Sequence, residues 1–320
     1  MFQSLLVLLS FVLSAQARNA STTPLNMWPM IMAHDAATTY LDPAGLIDHW
    51  AKTQPSGGPA QLFDCGARAL DWRPSLQKDG SLFMHHNILT IDHNMSDALD
   101  DMVQWASHNT KGATDFILLG ISDCVGTGCD AAVDQLLATR NVTVVTAVEL
   151  YALTAQAATE LGKLPGGGAM LACHSCWEMH FVPTVGCSGF NGGGTRKVNP
   201  VVGGGDPEAL TYTCYNDSST KAFPLNRMWQ YLNNVSLAGP PSDGKLYTAQ
   251  ALWQETTDTV IVGELHGSTL LEDESRSQLN ALLAERITSG VWNVSRANMV
   301  EINNVCDGGL GLKRVLDALP

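Results

Sequence analysis

The chain has 320 residues, 45% of them hydrophobic, and a formal net charge of −13. That length and apolar content suit one large α/β domain or two ordinary ones, and exclude a disordered or fibrous chain. The acidic balance, with no basic stripe, argues against nucleic acid as a partner and against strong attraction to an anionic membrane, so an anionic substrate must be caught locally.

Residues 1–17 read as a secretory signal peptide: Leu5 to Val12 is an apolar core and Ala15-Gln16-Ala17 a small-x-small cleavage signal, although no Lys or Arg stands near Met1. The segment is short for a membrane span. This leaves 18–320 as one folded domain, expected to be soluble and secreted. Six N-x-S/T sequons, at Asn19, Asn94, Asn141, Asn216, Asn234 and Asn293, suit a eukaryotic secretory path. Eight cysteines suit disulfides in an oxidising compartment. Cys124 and Cys129 are set to close a small loop, whereas Cys173, Cys176, Cys187 and Cys214 crowd one region without a unique pairing.

In chain order, 27–34 (MWPMIMAH) predicts a first buried strand delivering His34 and Asp35 at its exit. Residues 41–60, with Pro43, Pro55, Gly57, Gly58 and Pro59, predict mostly loop, with room for one helical turn. A second strand is expected at 67–73, ending on Asp71 and Arg73, then a Lys78-Asp79-Gly80 turn and a third strand at 81–86, ending on His85-His86. Ser96 to Ser107 predicts an amphipathic helix with Ser96 and Asp97 at its start. The continuous apolar run 115–123 predicts a strand buried on both faces.

The alternation continues. Helices are expected at 130–140 and 149–163, either a strand or a helix start at 142–148, and a strand at 169–175. The glycine-rich stretch 186–207 predicts a long excursion. Helices at 225–234, 247–255 and 270–287 and strands at 259–267 and 299–305 complete the series. Mostly apolar strands alternating with helices imply a parallel sheet, and their number favours a closed α/β (β/α) TIM-type barrel, regular or irregular, over an open sheet. Such a barrel carries its site at the carboxyl ends of the strands, where His34, Asp35, Asp71, Arg73, His85 and His86 converge.

On these residues the sequence resembles the catalytic half of the phosphatidylinositol-specific phospholipase C family, most closely its small bacterial-type members. The resembling blocks are MAHDAATTY, QLFDCGARALDWRP and LFMHHN, in that order, within residues 27–90. The resemblance implies that His34 is the general base on the inositol 2-hydroxyl and His86 the general acid on the departing alcohol. It implies that Arg73 clamps the phosphate, with Asp35 and Asp71 orienting these groups. The chemistry agrees: two histidines supply a proton acceptor and a donor near neutral pH, and a guanidinium binds a phosphoryl group bidentately. Internal attack gives a cyclic inositol phosphate.

Metal-requiring relatives place a Glu where this chain has Ala69, and Arg73 can replace a cation, so no catalytic metal and no cofactor are expected. Ala36 replaces the Ser usual after His-Asp. The carboxylate behind the base histidine is not evident. Glu301 and Asn303, on one face of the final strand, are the nearest candidates and Glu264 a weaker one. The basic residues that grip the inositol ring have no clear counterpart, since the fourth strand ends on Asp123 and the fifth on His174, which stands as a candidate substrate contact. The expected partner is an inositol phospholipid or a soluble phosphodiester, with transient contact to a membrane surface.

Two other functions fit parts of the pattern. A metal-dependent glycerophosphodiester phosphodiesterase or sphingomyelinase-type enzyme also carries Lys-Asp-Gly before a strand ending in His, but Ala69 counts against it. A barrel that binds a headgroup or sugar without turnover is the other. His85 reads as a packing neighbour of His86, since adjacent strand residues face opposite ways. Cys173-x-x-Cys176 with His174 and His180 reads as disulfide chemistry rather than zinc. Glu272, Asp273 and Glu274 read as the dipole-favoured first turn of the long helix, and Trp177, Trp229 and Trp253 as packing residues before sugar platforms.

Overall fold

The apolar runs assemble into one eight-stranded sheet. A computed structural model of the protein describes residues 18–42, 45–179, 225–253, 265 and 267–320. The expected signal segment, Cys187, Cys214, His180, the sequon at Asn216, the glycine-rich excursion, Glu264 and nearly all of the strand expected at 259–267 lie outside these residues.

Parallel strands β1 (Met30–Ala33), β2 (Ala69–Trp72), β6 (Ile117–Ile121), β7 (Thr143–Val144), β8 (Met170–His174), β9 (Trp177–Met179), β10 (Leu246–Gln250) and β11 (Met299–Ile302) run in the order β7-β8-β6-β2-β1-β11-β10-β9. The architecture is α/β and of the TIM-barrel type. Among the described residues no pairing joins β7 to β9, so the barrel is not closed. It is nevertheless curled: β8 and β9 lie towards opposite ends of the sheet, yet only Ser175 and Cys176 separate them in sequence. Trp177 on β9 accordingly packs on Gly120 of β6, where a Cβ would sit 2.2 Å from the indole ring.

Period-2 alternation divides the strands between two apolar layers. Ile31, Ala33, Leu70, Leu119 and Ala172 face outward onto α3 (Met95–Asn109), α4 (Cys129–Thr139), α7 (Leu225–Ala238) and α10 (Gly309–Asp317). Met30, Met32, Ala69, Leu118, Leu171 and Met299 face inward. There they meet α5 (Ala147–Tyr151) and α6 (Ala155–Leu161) through Leu150, Ala155 and Ala158. The return from β7 to β8 reverses direction along the sheet, and a right-handed return lays its helices on the inner face.

Several sequence expectations are corrected. Residues 81–86 are not a barrel strand. β4 (Leu82–His86) is the middle of a separate antiparallel sheet with β3 (Pro74–Leu76) and β5 (Leu89–Ile91), turned by Gly80 at φ +88°. The expected helix at 247–255 is instead strand β10, whose Tyr247 and Ala249 face one layer and Leu246 the other. The long helix expected at 270–287 is two, α8 (Leu270–Ser277) and α9 (Leu279–Thr288), broken at Gln278 in a left-handed conformation. The helix expected at 149–163 is likewise interrupted, with Thr154 accepting from the Ala157 N–H to start α6. Asn94, rather than Ser96 or Asp97, caps α3. Residues 41–60 hold α1 (Leu46–Ala51) and the start of α2 (Gly58–Asp64). As expected, Cys124 pairs with Cys129; Cys173 pairs with Cys176, and Cys65 with Cys306.

Candidate active site

His34 follows β1 directly, its N–H extending the ladder to the Ile302 carbonyl of β11 at 3.2 Å. The chain then turns at Asp35, whose φ of 43° is left-handed, a conformation costly for a non-glycine residue. A 3-10 turn at Ala36–Tyr40 follows, its Thr38 N–H donating to the Asp35 carbonyl at 2.9 Å. The segment after α1 holds the turn from the other side: Thr53 Oγ1 and Gln54 Nε2 donate to the His34 carbonyl at 2.9 and 3.0 Å. Gln54 also donates to the Ile302 carbonyl at 3.0 Å, which joins the exits of β1 and β11.

Asp35 is the hub. Its Oδ1 lies 2.8 Å from Arg73 Nε, and its Oδ2 lies 3.3 Å from His34 Nε2 and 3.0 Å from His86 Nε2. Arg73 leaves β2 beside Asp71, whose Oδ2 accepts from Arg73 Nη2 at 2.8 Å and whose Oδ1 accepts from Ser122 Oγ at 2.7 Å. His86 arrives from the side, on β4, and the His85 N–H fixes that small sheet to the Arg73 carbonyl at 2.9 Å. The histidines and aspartates are buried, whereas the Arg73 side chain stays 20% exposed and is the charge that reaches outward. Arg73 Nη1 makes no hydrogen bond among the described residues, so its third nitrogen is free for a ligand.

Behind His34, its Nδ1 meets Asn303 Oδ1 at 2.9 Å. Glu301, one inward step earlier on β11, is buried beneath the histidine with Oε2 unpartnered among the described residues. The ionisation equilibria follow these contacts. Burial disfavours the His34 imidazolium, but Asp35, Glu301 and Asp71 outweigh both burial and Arg73, so its pKa is raised. Burial also opposes charge on Asp35, yet Arg73, His34 and His86 hold its carboxyl well below the usual range. Arg73 is raised because Asp35 and Asp71 overcome its desolvation. Burial pushes Glu301 up to about 7, against the pull of His34.

His34, Asp71 and Glu301 present donor atoms within 4.8 Å of one another. They fit a cation poorly: both Asp71 oxygens are engaged by Arg73 and Ser122, and both His34 nitrogens face Asn303 and Asp35.

The cluster thus contains His34, Asp35, Asp71, Arg73, His86, Glu301 and Asn303. His174 is not brought into it. Alternation turns its side chain to the outer face, where Asp130 and Asp134 of α4 hold its ring nitrogens at 3.1 and 2.7 Å. His85 also points away, its nitrogens facing the Asn87 and Asp123 carbonyls. Ser122, Thr53, Gln54 and Glu274 were not anticipated. Only Ser122 had a local signal, since it stands at the exit of an apolar run.

The sequence matches no protein-family model. It matches no curated protein either. Among solved structures, the chain is similar to phosphatidylinositol-specific phospholipase C from Listeria monocytogenes, at 14% identity and a TM-score of 0.51, over 92% of this chain and 94% of that one. It is also similar to phosphatidylinositol-specific phospholipase C of Staphylococcus aureus, at 11% identity and a TM-score of 0.55, over 94% of this chain and 95% of that one. At these identities the likeness is one of fold.

Proposed function

We propose that the chain is a metal-independent phosphodiesterase acting on phosphatidylinositol or a related inositol phosphodiester, glycosylated anchors included. The observation that carries this is the gathering of two imidazoles and one guanidinium on a single carboxylate, Asp35, at the carboxyl ends of barrel strands. The fold shared with phosphatidylinositol-specific phospholipases C supports it. His34 Nε2 takes the proton of the inositol 2-hydroxyl, whose oxygen attacks phosphorus. Arg73, steered by Asp35 and Asp71, offers its outward N–H groups to the phosphoryl oxygens as charge develops. The bond to the lipid alcohol breaks, and His86 supplies that oxygen with a proton. The products are a cyclic inositol phosphate and the free alcohol.

The protein as secreted from its host, in an oxidising compartment that suits its disulfides, would meet such substrates at a membrane surface. A ³¹P NMR time course with phosphatidylinositol, run with and without a chelator, tests the proposal. A cyclic phosphate formed equally in both is expected, and His34→Ala and His86→Ala each lower turnover by about 10²-fold or more. Wild-type turnover in both variants would sink it. Activity lost to the chelator and restored by calcium would favour a metal-dependent enzyme built on His34, Asp71 and Glu301, and no turnover a binding barrel.

A further inference from the structure

Where the base histidine needs a fixed partner, the chain supplies a neutral amide, Asn303. A free amide can present either its oxygen or its nitrogen, and only the oxygen accepts from an imidazole N–H. The surroundings decide which. Asn303 Nδ2 lies 3.0 Å from the Trp253 carbonyl, which can only accept, and 2.9 Å from Glu274 Oε1. The nitrogen is therefore committed to that side, and Oδ1 faces His34 Nδ1 at 2.9 Å. It follows that His34 Nδ1 carries a proton, and that Nε2, the nitrogen turned to the cluster and 3.3 Å from Asp35 Oδ2, carries the second proton of the charged ring and is the one that gives it up when the ring becomes neutral.

Glu274 closes this arrangement. It comes from the first helical stretch after the segment beyond β10, is fully buried, and its Oε1 also accepts from the Trp253 N–H at 2.9 Å. The same oxygen thus fixes both the amide and the backbone that receives the amide. Asn280 Nδ2 holds the Asn303 carbonyl at 3.0 Å, so the backbone of Asn303 cannot rotate to offer an alternative. Glu274 Oε2 has no partner among the described residues.

We propose that Glu274 is a positioning residue that sets the tautomer of His34 by holding the Asn303 side-chain amide. The inference rests on the assignment of His34 as the proton acceptor only for its catalytic readout.

The test compares Glu274→Gln, Glu274→Met, Asn303→Ala and the double variant Glu274→Met/Asn303→Ala, each first shown to be folded by circular dichroism. Two readouts are taken on the full chain: kcat and KM against pH for a soluble inositol phosphodiester, and ¹⁵N NMR of the His34 ring without substrate, assigned against His34→Gln. In wild type and Glu274→Gln, whose Oε1 still accepts, the ring titrated to its neutral form shows protonated Nδ1 and unprotonated Nε2, and kcat agrees within about twofold. Glu274→Met mixes the tautomers and lowers kcat about tenfold with KM little changed, and it has almost no further effect when Asn303 is already Ala. Unchanged His34 nitrogen shifts in Glu274→Met, or an equal loss of kcat in both backgrounds, would overturn the inference. If Glu274→Met does not fold, Glu274→Asp, which withdraws the carboxyl by one methylene, makes the same comparison. The NMR arm needs no turnover, so an inactive wild-type protein whose tautomer still follows Glu274 would refute the proposed activity and leave this inference standing.

Discussion

Asp35 shows how much one residue can carry. It sits in a left-handed turn, joins both histidines to Arg73, and supplies the foremost charge that raises the His34 pKa against its burial. The sign of the pH dependence follows. A base must be neutral to accept a proton, so a raised His34 pKa puts the acid limb of kcat/KM above the ordinary imidazole value. Asp35→Asn removes that charge, so the limb should move to lower pH while the plateau falls by about 10²-fold, as Arg73 and His86 lose their anchor. A pH–rate profile of the two proteins checks both effects, and a limb that stayed in place would reassign the base. For stability the sign is opposite. The Asp35 pKa is lowered on folding, so its contribution is present above the unfolded carboxylate value and is lost as pH falls through the folded one. His34, Asp35, Asp71, Arg73 and His86 were legible in the sequence because each ends an apolar run. Glu274 and Gln54 were not. Their roles depend on partners on distant segments, and Glu274 reads locally as one of several acids in a helix's first turn.

At the scale of elements, what was legible was periodicity, and what was not was the partner of each strand. The run at 82–86 is as apolar as a barrel strand, but its register with β3 and β5 is antiparallel, and a turn at Gln77–Ser81 sends it back beside β3. This is why His86 approaches the cluster from a separate sheet while His34 and Arg73 arrive from the ends of β1 and β2. β10 was mistaken for a helix because a short run apolar on both faces carries no decisive period. The break at Gln278 carries no Gly or Pro to announce it. One element contact tests the curled sheet directly. Gly120 has room for no side chain beneath the Trp177 ring, so Gly120→Ala forces the indole or the β6 backbone to move. We expect a loss of about 1–3 kcal/mol in urea unfolding, with Trp177→Ala relieving part of it in the double variant. An unchanged midpoint would mean that Trp177 does not lie inside the curl.

Across the whole molecule, a covalent link ties the early part of the chain to its last segment. The Cys65–Cys306 disulfide joins the residue after α2 to the turn after β11, across a sequence separation of 241. Long closed loops lose the most entropy from the unfolded chain, so replacing both cysteines by serine should lower stability by about 2–5 kcal/mol, measured by denaturant titration. The pair was not legible because pairing depends on topology rather than spacing. The parallel sheet has a further consequence, in time rather than in energy. β1 is an inner strand between β2 and β11, and His34 finds Asn303 only across 269 residues of sequence. A nascent chain therefore carries both histidines and Arg73 through most of its synthesis with one side of β1 open and the base histidine unsupported. The cluster is therefore complete only once β11 has left the ribosome and docked beside β1.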